Sequence, residues 1–474
     1  MEYHHKQLLT LFREWSGGES QSFERLPHSG SSREYYRIKD SRNSAIGVYN
    51  ADEKENHAFI SFCKHFKRHQ LNVPAIYGED LKNKIYLLED LGDTTLLSYI
   101  EKNREGDLLS EPIKKTYKTI VEILPDFQIN AGSDVDYTVC YPRPAFDKQS
   151  ILWDLHYFKN YFLKFLKIPF YEQELEDDFN SFADYLVSAG CEHFMYRDFQ
   201  SRNIMLVNHV PYFIDFQGGR KGALQYDIAS LLFEAKTKLP EDFRNEILEY
   251  YLSALSKHLR FNKSEFMSFY YPFALVRTMQ ACGAYGFRGL YEKKPLFIQS
   301  IPHAVKNIEY LLKHTHPLKN FPELYKALSK IPGNSELKSI ISTFATLTVD
   351  IYSFSYHKAI PYDQSGHGGG FVFDCRCLPN PGKNSTLKQF TGNDDKIQTF
   401  FENEAAPEIN RFMRPVVMLV ENSINKYLTE NYTHLMVCFG CTGGRHRSVY
   451  CANQLAQKLR ERKDIEVRLT HNEI

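Results

Sequence analysis

Three things are missing from this sequence: a long apolar run, a surplus of one charge, and a cysteine framework. No stretch of about 18 consecutive apolar residues occurs, which argues against a membrane-spanning helix. Lys+Arg and Asp+Glu balance at 58 each, so no overall field recruits nucleic acid or an anionic membrane. The nine cysteines are scattered. Only Cys375/Cys377 and Cys438/Cys441 lie close together, without the second pair and the His spacing of a zinc site. There is no internal repeat. The N-terminal "MEYHHKQLLTLFREW" carries charges where a signal peptide needs an apolar centre, so the expectation is a cytoplasmic protein with reduced thiols. What is present is ample core material, 43% hydrophobic and 14% aromatic, over 474 residues, a length that suits two or three domains.

The pattern changes along the chain. Over roughly the first 100 residues, short apolar runs such as "YYRIK" (35–39), "SAIGVY" (44–49) and "KIYLLEDLG" (84–92) predict a mainly antiparallel sheet. Helical periodicity holds from about 108 to 190. Two strand-like runs, "FMY" and "PYFIDF", bracket 194–216, and helices return from 227 to about 330. "KIPGNSELKS" (330–339) reads as a linker. Beyond it, strands, a long helical stretch (397–430), "HLMVCFG" and a closing helix suggest a small α/β domain. The expected division is a domain over 1–330 (lobes about 1–95 and 96–330), a linker over 331–344 and a second domain over 345–474.

The chemistry concentrates in "YRDFQSRNIMLVNHVPYFIDFQ" (196–217). An Asp five residues ahead of an Asn, followed about a dozen residues later by a strand ending in Asp-Phe, is a phosphoryl-transfer pattern. One carboxylate orients or deprotonates the attacking hydroxyl; an amide and a second carboxylate hold magnesium on the phosphates. Asp198 fits the first role, Asn203 and Asp215 the second. These residues resemble the aminoglycoside phosphotransferase–choline kinase family, which implies a bilobal, α+β, protein-kinase-like fold and an ATP- and Mg2+-dependent reaction. Two positions depart from the family's usual pattern: Tyr196 stands where it has His, and Arg202 where it has Gly. The runs Arg197-Asp198, Arg202-Asn203-Ile204-Met205, Asp215-Phe216-Gln217 and "QYDIASLL" (225–232) look closer to the anomeric N-acetylmuramate/N-acetylglucosamine kinases of bacterial cell-wall recycling. In such folds the position of Asp227 braces the catalytic loop, with Arg197 and Arg202 beside it; as a local reading, Asp227 is equally a helix N-cap.

By the same resemblance, "LPHSGSSREYYRI" (26–38) looks like the nucleotide-covering hairpin, with Gly30, Ser31, Ser32 and Arg33 near phosphates, and "YLLEDLG" (86–92) like the adenine-binding hinge, near Glu89 and Leu91. The strand lysine that grips phosphates in kinases is missing. Tyr49 stands near its place, and Arg33, Arg37 and Arg202 are the candidate replacements. For substrate, "ILWDLHYF" (151–158) offers Trp153 and Asp154, which serve equally as lower-lobe packing; Gln217 and Arg220 follow the metal-binding Asp.

The tail "HLMVCFGCTGGRHRSVYCANQLAQKL" predicts a strand, a Gly-rich loop and a helix. Its N–H groups and Cys441, Thr442, Gly443, Gly444, Arg445, His446, Arg447 and Ser448 form a candidate anion site. With "FVFDCRCLPNPG" (371–382) and "FTGND" (390–394), it resembles the C-terminal domain of the RNase adapter protein family, which implies small-RNA binding and sensing of glucosamine 6-phosphate. Three readings stand: an anion nest for a phosphosugar, the leading one; a cysteine phosphatase using Cys441 and Arg447; and RNA binding. For the last, the basic cluster Lys458, Arg460, Arg462, Lys463 and Arg468 is interrupted by acids and reads equally as a solvated helix face. "SGHGGG" (365–370) reads as a flexible turn.

The expectation is therefore a kinase for an amino sugar's anomeric hydroxyl, joined to a phosphosugar- or anion-sensing domain. The alternatives are a non-catalytic regulator of a partner or RNA, and a kinase for choline or an aminoglycoside.

Overall fold

The computed structural model describes residues 3–26, 33–104, 108–292, 294–343, 347–363, 369–429, 432 and 434–474. The chain forms two compact units, Met1–Lys293 with Ser300–Asn334, and Lys294–Gln299 with Ser335–Ile474. Part of the segment expected as a linker is helical, Ser335–Thr343. No described helix is long and apolar enough to cross a membrane.

The first unit opens with a five-stranded antiparallel sheet of β1 (Ser22–Arg25), β2 (Glu34–Lys39), β3 (Ser44–Tyr49), β4 (Ile76–Asp80) and β5 (Ile85–Glu89), in the order β1-β2-β3-β5-β4. Strand period 2 sorts its residues. Tyr36, Ile38, Ala45, Ile85 and Leu87 pack with Leu8 and Phe12 of the helix Tyr3–Ser16. Tyr35 and Arg37 alternate with Tyr36 and Ile38 along β2, and so belong to its other face. The helix Glu53–Arg68 starts where Asp52 accepts from Lys54 and Glu55 N–H, with acids in the first turn and bases in the last.

The rest of this unit is mostly helical. The 108–190 stretch resolves into helices Glu111–Pro125, Lys148–Phe158 and Glu172–Val187. β6 (His193–Met195) pairs with β9 (Arg220–Gly222). Between them β7 (Ile204–Val207) and β8 (Val210–Phe213) form a hairpin, its two-residue turn Asn208-His209 in the left-handed region that such a turn requires. The nearly all-buried helix Leu224–Leu232 packs on the long helix Lys263–Tyr285.

The second unit contains a wholly parallel sheet, β11 (Gly370–Asp374), β12 (His434–Cys441), β10 (Leu347–Ser355), β13 (Ile465–His471), in that order. Val349, Ile351, Val437 and Phe439 form a core with Val416, Val420 and Ile424 of the helix Ala406–Thr429 and with Cys451 and Leu455 of the helix Arg447–Leu459. β13 was not foreseen. It splits the presumed basic helix face: the helix ends at Leu459, Arg468 lies on a strand, and Lys458, Arg462 and Arg468 pair with Glu461, Asp464 and Glu466. In "SGHGGG", residues 365–368 lie outside the described residues.

Candidate active site

The β7–β8 hairpin explains the motif spacing. Ile204 faces Phe213 across it, so Asn203 and Ile214 meet at its open end, where Ile214 N–H donates to Asn203 O at 3.0 Å. Asp215 follows at once. Asn203, 5% exposed, donates from Nδ2 to the Asp198 carbonyl at 2.8 Å, leaving its Oδ1 as the atom able to face a cation. Asp215 accepts at Oδ1 from Gln217 Nε2 at 2.7 Å and from Arg33 Nη1 at 3.2 Å. Asp198, Asn203 and Asp215 are thus tied together through the Asn203 side-chain amide and the Ile214 main chain, and the oxygens of Asn203 and Asp215 suit a hard divalent ion.

The loop carrying Asp198 is held in an unusual conformation. Arg197 (φ +80°) and Asp215 (φ +67°) are non-glycine residues in the left-handed region, a strain that persists only where surroundings impose it. Asp227 imposes part of it. Its fully buried carboxylate accepts from Tyr196 N–H at 2.8 Å and Arg197 N–H at 3.0 Å. The alternative of Asp227 as a helix N-cap is overturned: Ala223 holds that position and Asp227 lies inside the helix. Gln128 Nε2 donates to Asp227 at 3.3 Å, and Tyr251 donates to Gln128 Oε1 at 2.7 Å. Burial pushes the Asp227 carboxyl up to about 7 against the opposing pull of the N–H donors.

Asp198 is partly exposed and has Arg277 Nη2 3.5 Å from Oδ1. Burial works to raise its pKa, but Arg277, Arg197 and Arg202 outweigh that and hold the carboxyl below its ordinary value. Arg277, from the helix Lys263–Tyr285, was not singled out in the sequence; nor were Gln128, Tyr251 and Glu55. Each is distant from the motif, and no local pattern marks it.

The three candidate replacements for the lysine separate. Arg37 is engaged with Asp90 and Asp93 beside the hinge. Arg202 is exposed. Arg33, 3% exposed, joins Glu55 of the helix Glu53–Arg68 to Asp215, and Asn50 fixes the other oxygen of Glu55 at 2.8 Å. Tyr49 packs instead on the outer cluster, its ring stacked 4.2 Å from that of His4. Phe216 is fully buried, stacked on Phe59 and edge-on to Phe66 of the same helix. At the hinge, Glu89 N–H donates to Ala75 O at 3.0 Å, whereas Leu91 has no main-chain partner among the described residues. Gly30, Ser31 and Ser32 lie outside the described residues.

Of the substrate candidates, Asp154 bonds Arg197 Nη2 at 2.7 Å. Trp153 is 49% exposed, with Arg143 over its ring. Gln217 is buried.

In the second unit, the Gly-rich loop follows the carboxyl end of β12, where ligands bind open α/β sheets. Several of its side chains are already occupied. Arg447 is 6% exposed and donates to the carbonyls of Arg376 (3.0 Å) and Leu378 (3.2 Å). His446 Nε2 bonds Phe390 O at 2.7 Å, and burial, with Arg445 and Arg447 adding to it, lowers its pKa, so the ring carries no charge at neutral pH. Cys441 and Ser448 contact each other at 3.2 Å. Arg447 is therefore not set to hold phosphate oxygens around Cys441, against the phosphatase reading. Arg445, Thr442 and Gly443 remain exposed. Gly444 (φ +68°) is under Glu473: a Cβ there would lie 2.3 Å from Glu473 Cγ, and Glu473 pairs with Lys358.

Comparison with known proteins finds two family models in this chain. Residues 22–262 match the phosphotransferase enzyme family and residues 347–474 the RapZ C-terminal domain. A nucleotide-binding protein of Polynucleobacter asymbioticus is 36% identical over 119 residues, covering 25% of this chain and 38% of the relative. One from Xylella fastidiosa is 29% identical over 180 residues, covering 37% and 59%. The chain thus spans less than two thirds of these relatives' length. Among solved structures, the choline kinase LicA from Streptococcus pneumoniae aligns over 64% of this chain and 98% of its own, at 15% identity and a TM-score of 0.43. An ethanolamine kinase of Plasmodium vivax aligns over 60% and 81%, at 14% and 0.43.

Proposed function

The chain belongs to the phosphotransferase enzyme family, and on that premise we propose that it is an ATP- and Mg2+-dependent kinase of the anomeric hydroxyl of N-acetylmuramate or N-acetylglucosamine, acting in cytoplasmic cell-wall recycling. The observation that carries the catalytic part is the joining of Asp198, Asn203 and Asp215 through Asn203 Nδ2 and Ile214 N–H. The acceptor hydroxyl donates to the Asp198 carboxylate, which its arginine neighbours keep ionised. As the hydroxyl oxygen bonds to the γ-phosphorus and the bond to the bridging oxygen breaks, Asp198 takes the proton. Asn203 Oδ1 and the Asp215 carboxylate would hold Mg2+, which supplies charge neutralisation on the phosphates. Arg33 replaces the absent lysine, tied to Glu55 as a kinase strand lysine is tied to its helix glutamate. Asp227 keeps the loop in its strained form. The second domain receives a phosphosugar or related anion at the Thr442–Arg445 loop.

A second reading, a non-catalytic regulator, is favoured by one observation: Arg33 already occupies Asp215 Oδ1. Phosphorus NMR of the protein with ATP, Mg2+ and a sugar panel separates the two. A new sugar 1-phosphate signal that disappears in Asp198→Asn supports the kinase; ATP binding without turnover across the panel rejects it.

A further inference from the structure

At the acceptor side of the site one buried cation has no carboxylate within ion-pair distance among the described residues. Arg220 is 7% exposed, yet among the described residues its hydrogen bonds reach only main-chain carbonyls, Nε to Gly218 O at 2.9 Å and Nη2 to Tyr141 O at 3.5 Å. Arg197 is a second cation beside it: a Cβ on Gly218 would lie 3.7 Å from Arg197 Cγ and 4.0 Å from Arg220 Nη2. The carboxylate acting on both is Asp154, which bonds Arg197 through Oδ1. Asp154 is committed to Arg197, on which Asp198 also acts, so Arg220 is left without an ion-pair partner of its own among the described residues. Burial, and after it Arg197, push the Arg220 pKa down to about 10, as befits a cation short of a partner. A buried charge is costly unless paired, so the arrangement favours an incoming anion.

Two acceptor atoms, Asp154 Oδ2 and Oε1 of Gln217, the residue before Gly218, are also buried and have no hydrogen-bond partner among the described residues. The amide of Gln217 faces the metal-binding Asp215 with its Nε2, so its oxygen is the end left for a ligand.

Resting on the kinase reading, we propose that the acceptor is an acidic polyol: a carboxylate or phosphate on it pairs with Arg220, while its hydroxyl or amide N–H groups donate to Asp154 Oδ2 and Gln217 Oε1. N-acetylmuramate meets this description and N-acetylglucosamine does not. Cationic acceptors of the choline or aminoglycoside kind meet a like charge.

The test is calorimetry on the full chain with AMP-PNP and Mg2+, using acceptor pairs that differ by an acid-bearing group: N-acetylmuramate against N-acetylglucosamine, and glucuronate against glucose. The wild type should bind the acidic member about tenfold or more tightly. Arg220→Gln should abolish that preference, with melting curves confirming a folded protein. Asp154→Asn, a second variant, removes the shared carboxylate and should widen the preference. Equal or no binding of the pairs by wild type, a preference that survives Arg220→Gln, or one that narrows in Asp154→Asn overturns the proposal. So does an Arg220→Gln effect confined to AMP-PNP, which assigns the anion to the nucleotide. Selective, Arg220-dependent binding without turnover sinks the kinase reading and leaves the acidic-ligand site standing.

Discussion

Asp198 is kept ionised by arginines despite partial burial, and this fixes the sign of its pH behaviour. A general base acts when unprotonated, so its lowered pKa places the acid limb of kcat/KM below the ordinary carboxylate value of about 3.9. Asp198→Asn should lower kcat by about 10²–10⁴-fold while ATP binding, read by calorimetry, persists. Asp227 has the opposite sign. Its folded pKa, about 7, lies above its unfolded value, so the native state holds a proton that the unfolded chain has lost. That contribution is fully present below about pH 4 and disappears as pH rises through about 7. Thermal melts should therefore show the Tm gap between wild type and Asp227→Asn shrinking from pH 5 to pH 8. In the second domain, Arg445→Ala should weaken binding of a phosphosugar probe without lowering Tm. Arg447→Ala, which strips two carbonyls of their donor, should lower Tm by an amount corresponding to about 1–3 kcal/mol.

The helix Glu53–Arg68 couples several parts of the site. It supplies Glu55 to Arg33 and lays Phe59 and Phe66 against Phe216, the residue after Asp215. Arg33→Ala and Glu55→Ala should each raise the ATP KM. Their combined effect should fall short of additive by about 0.5–3 kcal/mol, because each single change already breaks the shared link. Phe216→Ala should cost about 3–5 kcal/mol by denaturant melts and raise the Mg2+ requirement, since the ring anchors the turn that aims Asp215. The hairpin shows how much of an element is readable. Its two apolar runs and the dozen-residue spacing between Asn203 and Asp215 are visible in sequence; the period-2 alternation of "DIEVRLTH" was legible too, but its basic residue groups equally well with those of the preceding helix, and only the sheet separates them.

On the scale of the molecule, two units with separate cores predict two calorimetric transitions. AMP-PNP with Mg2+ should raise only one, by an amount that grows with the logarithm of ligand concentration. The sequence by itself determined the fold class and the short-range chemistry: period-2 and helical patterns select the elements, and the Asp198–Asn203–Asp215 motif rests on separations that one hairpin closes. The tertiary structure alone decided which charges face which. It brought Arg277 to Asp198, Gln128 and Tyr251 under Asp227, and Glu55 to Arg33, and it turned Arg447 inward onto carbonyls. These contacts join residues from distant elements, so they depend on packing and desolvation, which no local pattern encodes.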